Sequence, residues 1–203
     1  MTRRLEGRRL LFATHNAGKL EEMRQLLEPR GIEIVSSAEL GLAEPAETED
    51  TFVGNARIKA HSAASATGLP ALADDSGLCV DALGGAPGVY TADWAEVDGA
   101  RDFAVAMART RKALAAAGAA APWVARFQCV LVLAWPDGHD EVFKGSVVGE
   151  LVWPIRGADG HGYDPMFVPE ARGLTFAEMS PEEKNKISHR ARALEMLLAR
   201  CFT

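Results

Sequence analysis

Apolar positions along the chain alternate between short runs of the kind buried strands show and the three-to-four spacing of amphipathic helices. Leu10 to Ala13 predicts a short buried strand, and THNAGK follows as a polar loop opening a helix with Leu20, Met23, Leu26 and Leu27 on one stripe. After Gly31, Ile32 to Val35 predicts a second strand, and the acidic segment from Ala43 to Asp50 an exposed loop. Thr51 to Thr67 predicts a helix with Phe52, Ala56, Ala60 and Ala63 inward, stopped by Gly68-Leu69-Pro70. The segment ALADDSGLCVDAL predicts a strand, an abrupt turn at Asp74-Asp75-Ser76-Gly77 and another strand, with GGAPGVY irregular after it.

The second half continues the alternation. Asp102 to Ala117 has a strong helical pattern ending before Gly118, and AAAGAAAP is a connector inside a domain. Ala125 to Trp135 and Glu141 to Trp153 are Val-rich runs joined by Pro136-Asp137-Gly138-His139, which predicts an antiparallel pair. DGHGYDP is a second Gly-rich polar loop. Ser180-Pro181-Glu182-Glu183 reads as a capping box with proline at the first helical position, and Ile187, Ala191, Leu194, Leu198 and Cys201 give a core stripe. At ~100° per residue Lys184 and His189 lie about 140° apart on an unbroken helix and would not face one ligand. Ser188 is a good N-cap, so the pattern predicts a break there and a new helix displaying His189 and Arg190; the alternative is one continuous helix with a solvated basic face.

Helices alternating with strands, together with the Val-rich hairpin, predict an α/β fold: a central mixed sheet flanked by helices, in a single domain over residues 1–203 without internal repeats. Ligands in such sheets sit beyond strand ends, where the polar loops fall. The composition, 48% hydrophobic and 25% charged, is that of an ordinary soluble domain. A net charge of -6 argues against binding nucleic acid, which needs a basic face to displace counterions, but leaves room for a small anion held by a few cations. Three cysteines without a C-x-x-C pair suggest neither a disulfide framework nor a zinc site, and a reducing cytoplasm fits best. No apolar stretch approaches the ~18 residues of a membrane span, nor does the N-terminus carry a signal-peptide core.

Within this frame a few residues carry chemistry. THNAGK is not a P-loop, since Gly18-Lys19 is followed by Leu20 without the upstream glycine. Either Lys19 and the helix N-terminal amides face a phosphate, or Asn16 merely caps the helix and Lys19 is solvated. Adjacent Asp74 and Asp75 repel unless a cation or proton neutralises them; magnesium is the natural cation, with Glu47 a further oxygen, the alternative being an Asx turn on a wet surface. Asn55 and Lys59, one helical turn apart, would lean into a cleft or lie on the helix surface, while Asp81 and Asp93 read as structural or solvated. Trp94, Trp123, Trp135 and Trp153 are scattered and read as core or interface aromatics.

Four blocks, THNAGK, ETEDTF with its helix, ADDSGLCVDALGGAPGVY, and GHGYDPMF followed by MSPEEKNKISHRARAL, occur in one order from about Leu10 to Leu198. Together they resemble the inosine triphosphate pyrophosphatase family, the noncanonical purine nucleoside triphosphate pyrophosphatases. The resemblance implies two lobes around a substrate cleft, a homodimer, and magnesium-dependent hydrolysis of ITP, dITP and XTP to monophosphate and diphosphate. It implies that Thr14, His15, Asn16, Ala17, Gly18 and Lys19 bind the triphosphate, that Asp75 is proton acceptor and metal ligand, and that Glu47 is a metal ligand. Ser76, His161, Gly162, Tyr163, Asp164, Lys184, His189 and Arg190 match substrate positions. His161 departs from the family pattern, which more often has an aromatic residue there.

Physically, water attack on the α-phosphorus needs a proton acceptor and cations on a diphosphate leaving group, which Asp75, Lys19 and Lys184 would supply. Donors such as His189 and Arg190 would favour a purine 6-oxo group over the adenine amino group. The competing readings are a Maf-type nucleotide pyrophosphatase, against which the SHR block argues, and a nucleotide sensor without catalysis. A pure binder has no need of the Asp74-Asp75 pair.

Overall fold

The computed structural model describes residues 3–202. Along the chain these form β1 (Arg9–Phe12), α1 (Ala17–Leu27), β2 (Glu33–Ser36), α2 (Phe52–Thr67), β3 (Ala71–Val80), β4 (Glu96–Val97), β5 (Ala100–Arg101), α3 (Phe103–Ala116), β6 (Trp123–Ala134), β7 (Asp140–Leu151), β8 (Phe167–Pro169), α4 (Pro181–Ile187) and α5 (His189–Cys201). Six strands make one sheet in the order β2-β1-β3-β6-β7-β8, and β4 pairs with β5 separately. β1 runs parallel to β2 and β3, whereas β7 and β8 are antiparallel, so the sheet is mixed as the patterning predicts.

The chain divides into two compact units, which draw on different parts of β3, β6 and β7. One comprises residues up to Asp75, Cys129–Gly145 and the chain from Arg190 on. Its strand segments are apolar on both faces. Leu10 and Phe12 of β1 with Leu131 and Leu133 of β6 pack against Met23 and Leu27 of α1 and Leu194 and Leu197 of α5. Leu11, Val130 and Val132 instead meet the alanine face of α2, Ala56, Ala60, Ala63 and Ala64. Small residues on α2 are what let the helix lie close to the sheet, and strands buried on both faces read as continuous apolar runs.

The other unit comprises Ser76–Gln128 and Ser146–His189. Its core joins Leu78, Val80, Phe127, Val147 and Leu151 to Met107 and Leu114 of α3 and to Tyr163, Phe167 and Phe176. Asp102 caps α3 by accepting from Ala104 N and Val105 N.

Two features of the chain depart from the pattern its residues predict. The turn at Asp74–Gly77 does not exist: β3 is one ten-residue strand, and both aspartates are buried within it, at 2% and 5% exposure. Each carboxylate meets a lysine or arginine, so neither has to turn outward to water. The apolar stripe near the C-terminus also shifts, with Ala193 and Leu197 fully buried and Leu198 half-buried. Trp135 is buried, Trp94 and Trp123 are half-buried, and Trp153 is exposed. The break at Ser188 is present. α4 begins with the Ser180–Glu183 capping box, Ser188 is extended at φ -64 and ψ 155, and α5 starts at His189.

Candidate active site

The first cluster lies in the unit that contains α1. Asn16 leaves β1 in an extended conformation and its side chain accepts from Lys19 N at 3.0 Å, while Asn16 N donates to Thr14 Oγ1 at 3.1 Å. Ala17 and Gly18 open the helix, and the ring Nε2 of His15 lies 2.8 Å from the Leu42 carbonyl. Asn16 therefore does cap the helix, but Lys19 is not simply solvated: its Nζ lies 2.5 Å from Asp74 Oδ1. Residues 14–19 thus deliver a polar loop, a helix N-terminus and one partly exposed cation to a single place.

Successive residues of a strand point to opposite faces, and the two aspartates divide accordingly. Asp74 Oδ2 accepts from Arg190 Nε at 2.8 Å and from the Cys129 thiol at 3.1 Å, and Arg190 Nη1 also pairs with Glu22 of α1. Lys19, Arg190, Asp74 and Glu22 thereby form a charge-balanced group. Burial pulls the Arg190 guanidinium down to about 10, still charged at neutral pH. Burial and the Asp74 charge push the Cys129 thiol well above its ordinary value, so it stays protonated.

Asp75 faces Lys59, whose Nζ lies 3.1 Å from Asp75 Oδ1 and 2.8 Å from Glu47 Oε1. Asn55, one turn before Lys59, accepts from Glu49 N at 2.9 Å and so ties the acidic loop to α2. Burial raises the Asp75 carboxyl above its ordinary value, Lys59 and Lys19 opposing and Glu47 adding to the shift. Burial works against the charge of Lys59 too, yet Asp75 and Glu47 hold its ammonium above the ordinary range. Asp75 Oδ2 is buried and has no hydrogen-bond partner among the described residues. A cavity of about 150 Å³ opens beside Lys59, lined also by His15, Ser37, Glu44 and Ser62.

Among the described residues no three His, Cys, Asp or Glu side chains already converge as a metal nest. Asp75 and Glu47 nevertheless share one cation across Lys59, and the unpartnered Oδ2 is a hard oxygen ligand of the kind magnesium takes. These two residues fit the ion.

The second cluster lies in the other unit. Asp164 is buried, and its Oδ2 accepts from both His161 N and Lys184 Nζ, each at 2.6 Å. The loop can wrap this carboxylate because residue 160 is glycine: φ is +80°, and a Cβ there would lie 2.3 Å from Asp164 Oδ2. His161 is exposed. Tyr163 turns into the core, edge-on to Phe103 at 5.9 Å, and burial pushes its phenol up to about 12. His189 opens α5 with its ring stacked on Phe127, centroids 4.9 Å apart and planes 12° apart. Ser76 follows Asp75 in β3 and is half-buried.

The structure thus gathers Thr14 to Lys19, Glu47, Asp75 and Arg190 in one unit, and His161 to Asp164, Lys184 and His189 in the other. Sequence reasoning passed over Glu22 and gave Cys129 no role in the site, and it named Lys59 without a partner. Glu22 did leave a signal, as an acidic residue four positions before core Leu26.

A model of the Ham1 family matches residues 10–200. A dITP/XTP pyrophosphatase of Ruegeria pomeroyi is 67% identical over 202 residues, spanning 100% of this chain and 99% of that protein. One of Rhizobium meliloti is 55% identical over 211 residues, spanning 98% and 99%. Among solved structures, a HAM1 protein from Coxiella burnetii superposes with a TM-score of 0.85 at 40% identity, over 94% of this chain and 96% of that one. The Ham1 protein of Staphylococcus aureus does so with a TM-score of 0.80 at 34% identity, over the same shares. With the family pattern covering nearly every residue and the folds superposing, the chain belongs to the Ham1 family.

Proposed function

We propose that this chain is a nucleoside triphosphate pyrophosphohydrolase that converts ITP, dITP and XTP to the monophosphate and diphosphate, clearing noncanonical purines from the nucleotide pool. The observation that carries this reading is Asp75: a buried carboxylate with one oxygen on Lys59 and the other without a partner, beside a lysine at a helix N-terminus. Asp75 accepts the proton of the attacking water through its carboxylate, which Lys59 holds by Oδ1. Lys19 and the backbone of residues 14–19 bind the triphosphate. Asp75 and Glu47 are the residues that would hold magnesium, whose charge, when bound, offsets that of the phosphate oxygens.

Lys184 adds a cation oriented by Asp164, and Ser76 with His161 and the backbone of Gly162 completes the substrate contacts, Tyr163 and Asp164 holding the loop from within. His189, at the start of α5, is the donor we assign to the purine 6-oxo group, leaving adenine mispaired, while Arg190, committed to Asp74 and Glu22, anchors that end of α5. The coverage of residues 10–200 by one family pattern supports a single functional domain. We further read the protein as a cytoplasmic homodimer; among the described residues no helix is long and apolar enough to cross a membrane. A sensor that only binds is disfavoured by the buried Asp75 carboxylate with an oxygen left unpartnered among the described residues, since a pure binder has no need of a proton acceptor there.

The test is incubation with ITP, XTP, GTP and ATP in magnesium or EDTA, with products resolved by ion exchange. Monophosphate plus diphosphate from ITP and XTP, abolished by EDTA, is expected; nucleoside diphosphate plus phosphate overturns the reading. Lys19→Ala is expected to raise KM for ITP by about tenfold to a hundredfold, the order of one charge-assisted phosphate contact, in steady-state kinetics. Because Asp75 acts only when ionised, kcat/KM in saturating magnesium is expected to fall on the acid side as the carboxyl takes up its proton. A pH–rate profile with an acid limb that Asp75→Asn leaves unchanged would remove Asp75 as the base.

A further inference from the structure

Cys129 lies in β6 without exposed surface, and its thiol donates to Asp74 Oδ2 at 3.1 Å. The same carboxylate takes Lys19 Nζ at Oδ1 and Arg190 Nε at Oδ2, at 2.5 and 2.8 Å. The terminal torsion of an aspartate has a broad well, so the plane of the carboxylate can swing between cations carried by different helices. A third donor, standing on a strand next to β3 in the sheet, narrows that swing. It shares one oxygen with Arg190 and so holds the plane in which the other oxygen meets Lys19.

We propose that Cys129 is a positioning residue of the phosphate site, its thiol holding the Asp74 carboxylate in the rotation that presents Lys19 at the N-terminus of α1. The inference rests on the reading of Lys19 as a phosphate ligand. Lys19 keeps 20% side-chain exposure, whereas Asp74, Arg190 and Glu22 keep 0%, 6% and 11%, so Lys19 is the member of the group that meets a ligand. A misturned Asp74 is felt by the substrate through it. A thiol suits the place because it buries as a small hydrophobe and still carries a proton to donate.

The experiment compares Cys129→Ala, Cys129→Ser and Lys19→Ala in steady-state hydrolysis of ITP with magnesium. Cys129→Ala is expected to raise KM about fivefold, the size of one weak donor lost from a charged acceptor, with kcat within about twofold. Cys129→Ser restores a donor and is expected to keep KM within about twofold of the unmodified protein. A role in packing alone gives the reverse order, since a buried hydroxyl without a partner is worse than alanine, and Cys129→Ser at or above Cys129→Ala overturns the proposal.

An unchanged KM in Cys129→Ala while Lys19→Ala raises it also overturns the proposal, with the phosphate reading intact. An unchanged KM in Lys19→Ala brings down the phosphate reading and the proposal with it. Should Cys129→Ala fail to fold, the infrared S–H band, isolated as the difference between the unmodified protein and Cys129→Ser, decides. A band lowered by hydrogen bonding that moves back in Asp74→Asn is expected; a band at the free-thiol position overturns the proposal.

Discussion

Asp75→Asn is expected to lower kcat for ITP by roughly 10³- to 10⁴-fold, the upper part of what one positioned base supplies, while ITP binding falls far less. The substitution keeps size and shape and leaves an amide oxygen to accept from Lys59, so the fold around β3 survives. It removes the oxygen that takes the proton. Binding is expected to persist because, on the proposed reading, the phosphates are met by Lys19 and the backbone of residues 14–19, on the Asp74 face of the strand. Single-turnover kinetics and equilibrium titration of ITP separate the two effects. Near-normal turnover would take Asp75 out of the chemistry, and equal loss of binding and turnover would make it a charge that organises the site.

The contrast between Ser188 and Asp74–Asp75 explains which features were legible in the sequence. The break at Ser188 is local: a capping box at Ser180, a serine eight residues on, and charged side chains whose angular spacing fits no single helix face. Every element of that argument lies within ten residues. The Asp-Asp-Ser-Gly segment has the composition of a turn, and what overrides composition is distant. Lys19 stands 55 positions before Asp74 and Arg190 stands 116 after it. Without those cations a buried Asp74 would be untenable, as a buried Asp75 would be without Lys59, and the turn would have been the better solution. Sequence pattern supplied the candidates Lys19, Asp75 and Arg190 but not their pairing, since pairing follows from strand order. The positions of Cys129 and Glu22 in the same group have the same origin.

That dependence on distant cations gives the second large effect. Arg190→Met is expected to destabilise the protein by about 3–5 kcal/mol, the cost of removing one partner from a buried ion pair. The methionine fills much of the guanidinium's space, so the loss comes mainly from charge: Asp74 keeps Lys19 and the Cys129 thiol, whereas Glu22 loses its guanidinium. Two consequences separate this account from a packing defect. Carboxylates deprived of a cation have raised folded-state pKa values, so the destabilisation is present at neutral pH and shrinks as pH falls through those values and they take up protons. Adding Glu22→Gln to Arg190→Met removes the carboxylate that lost its guanidinium and is expected to recover part of the loss, which a volume defect would not. Urea unfolding of the single and double variants across pH measures both. A variant within about 1 kcal/mol of the unmodified protein at neutral pH would place the pair with exposed ion pairs and deny it a structural role. Loss without pH dependence or rescue would assign the effect to the cavity the side chain leaves.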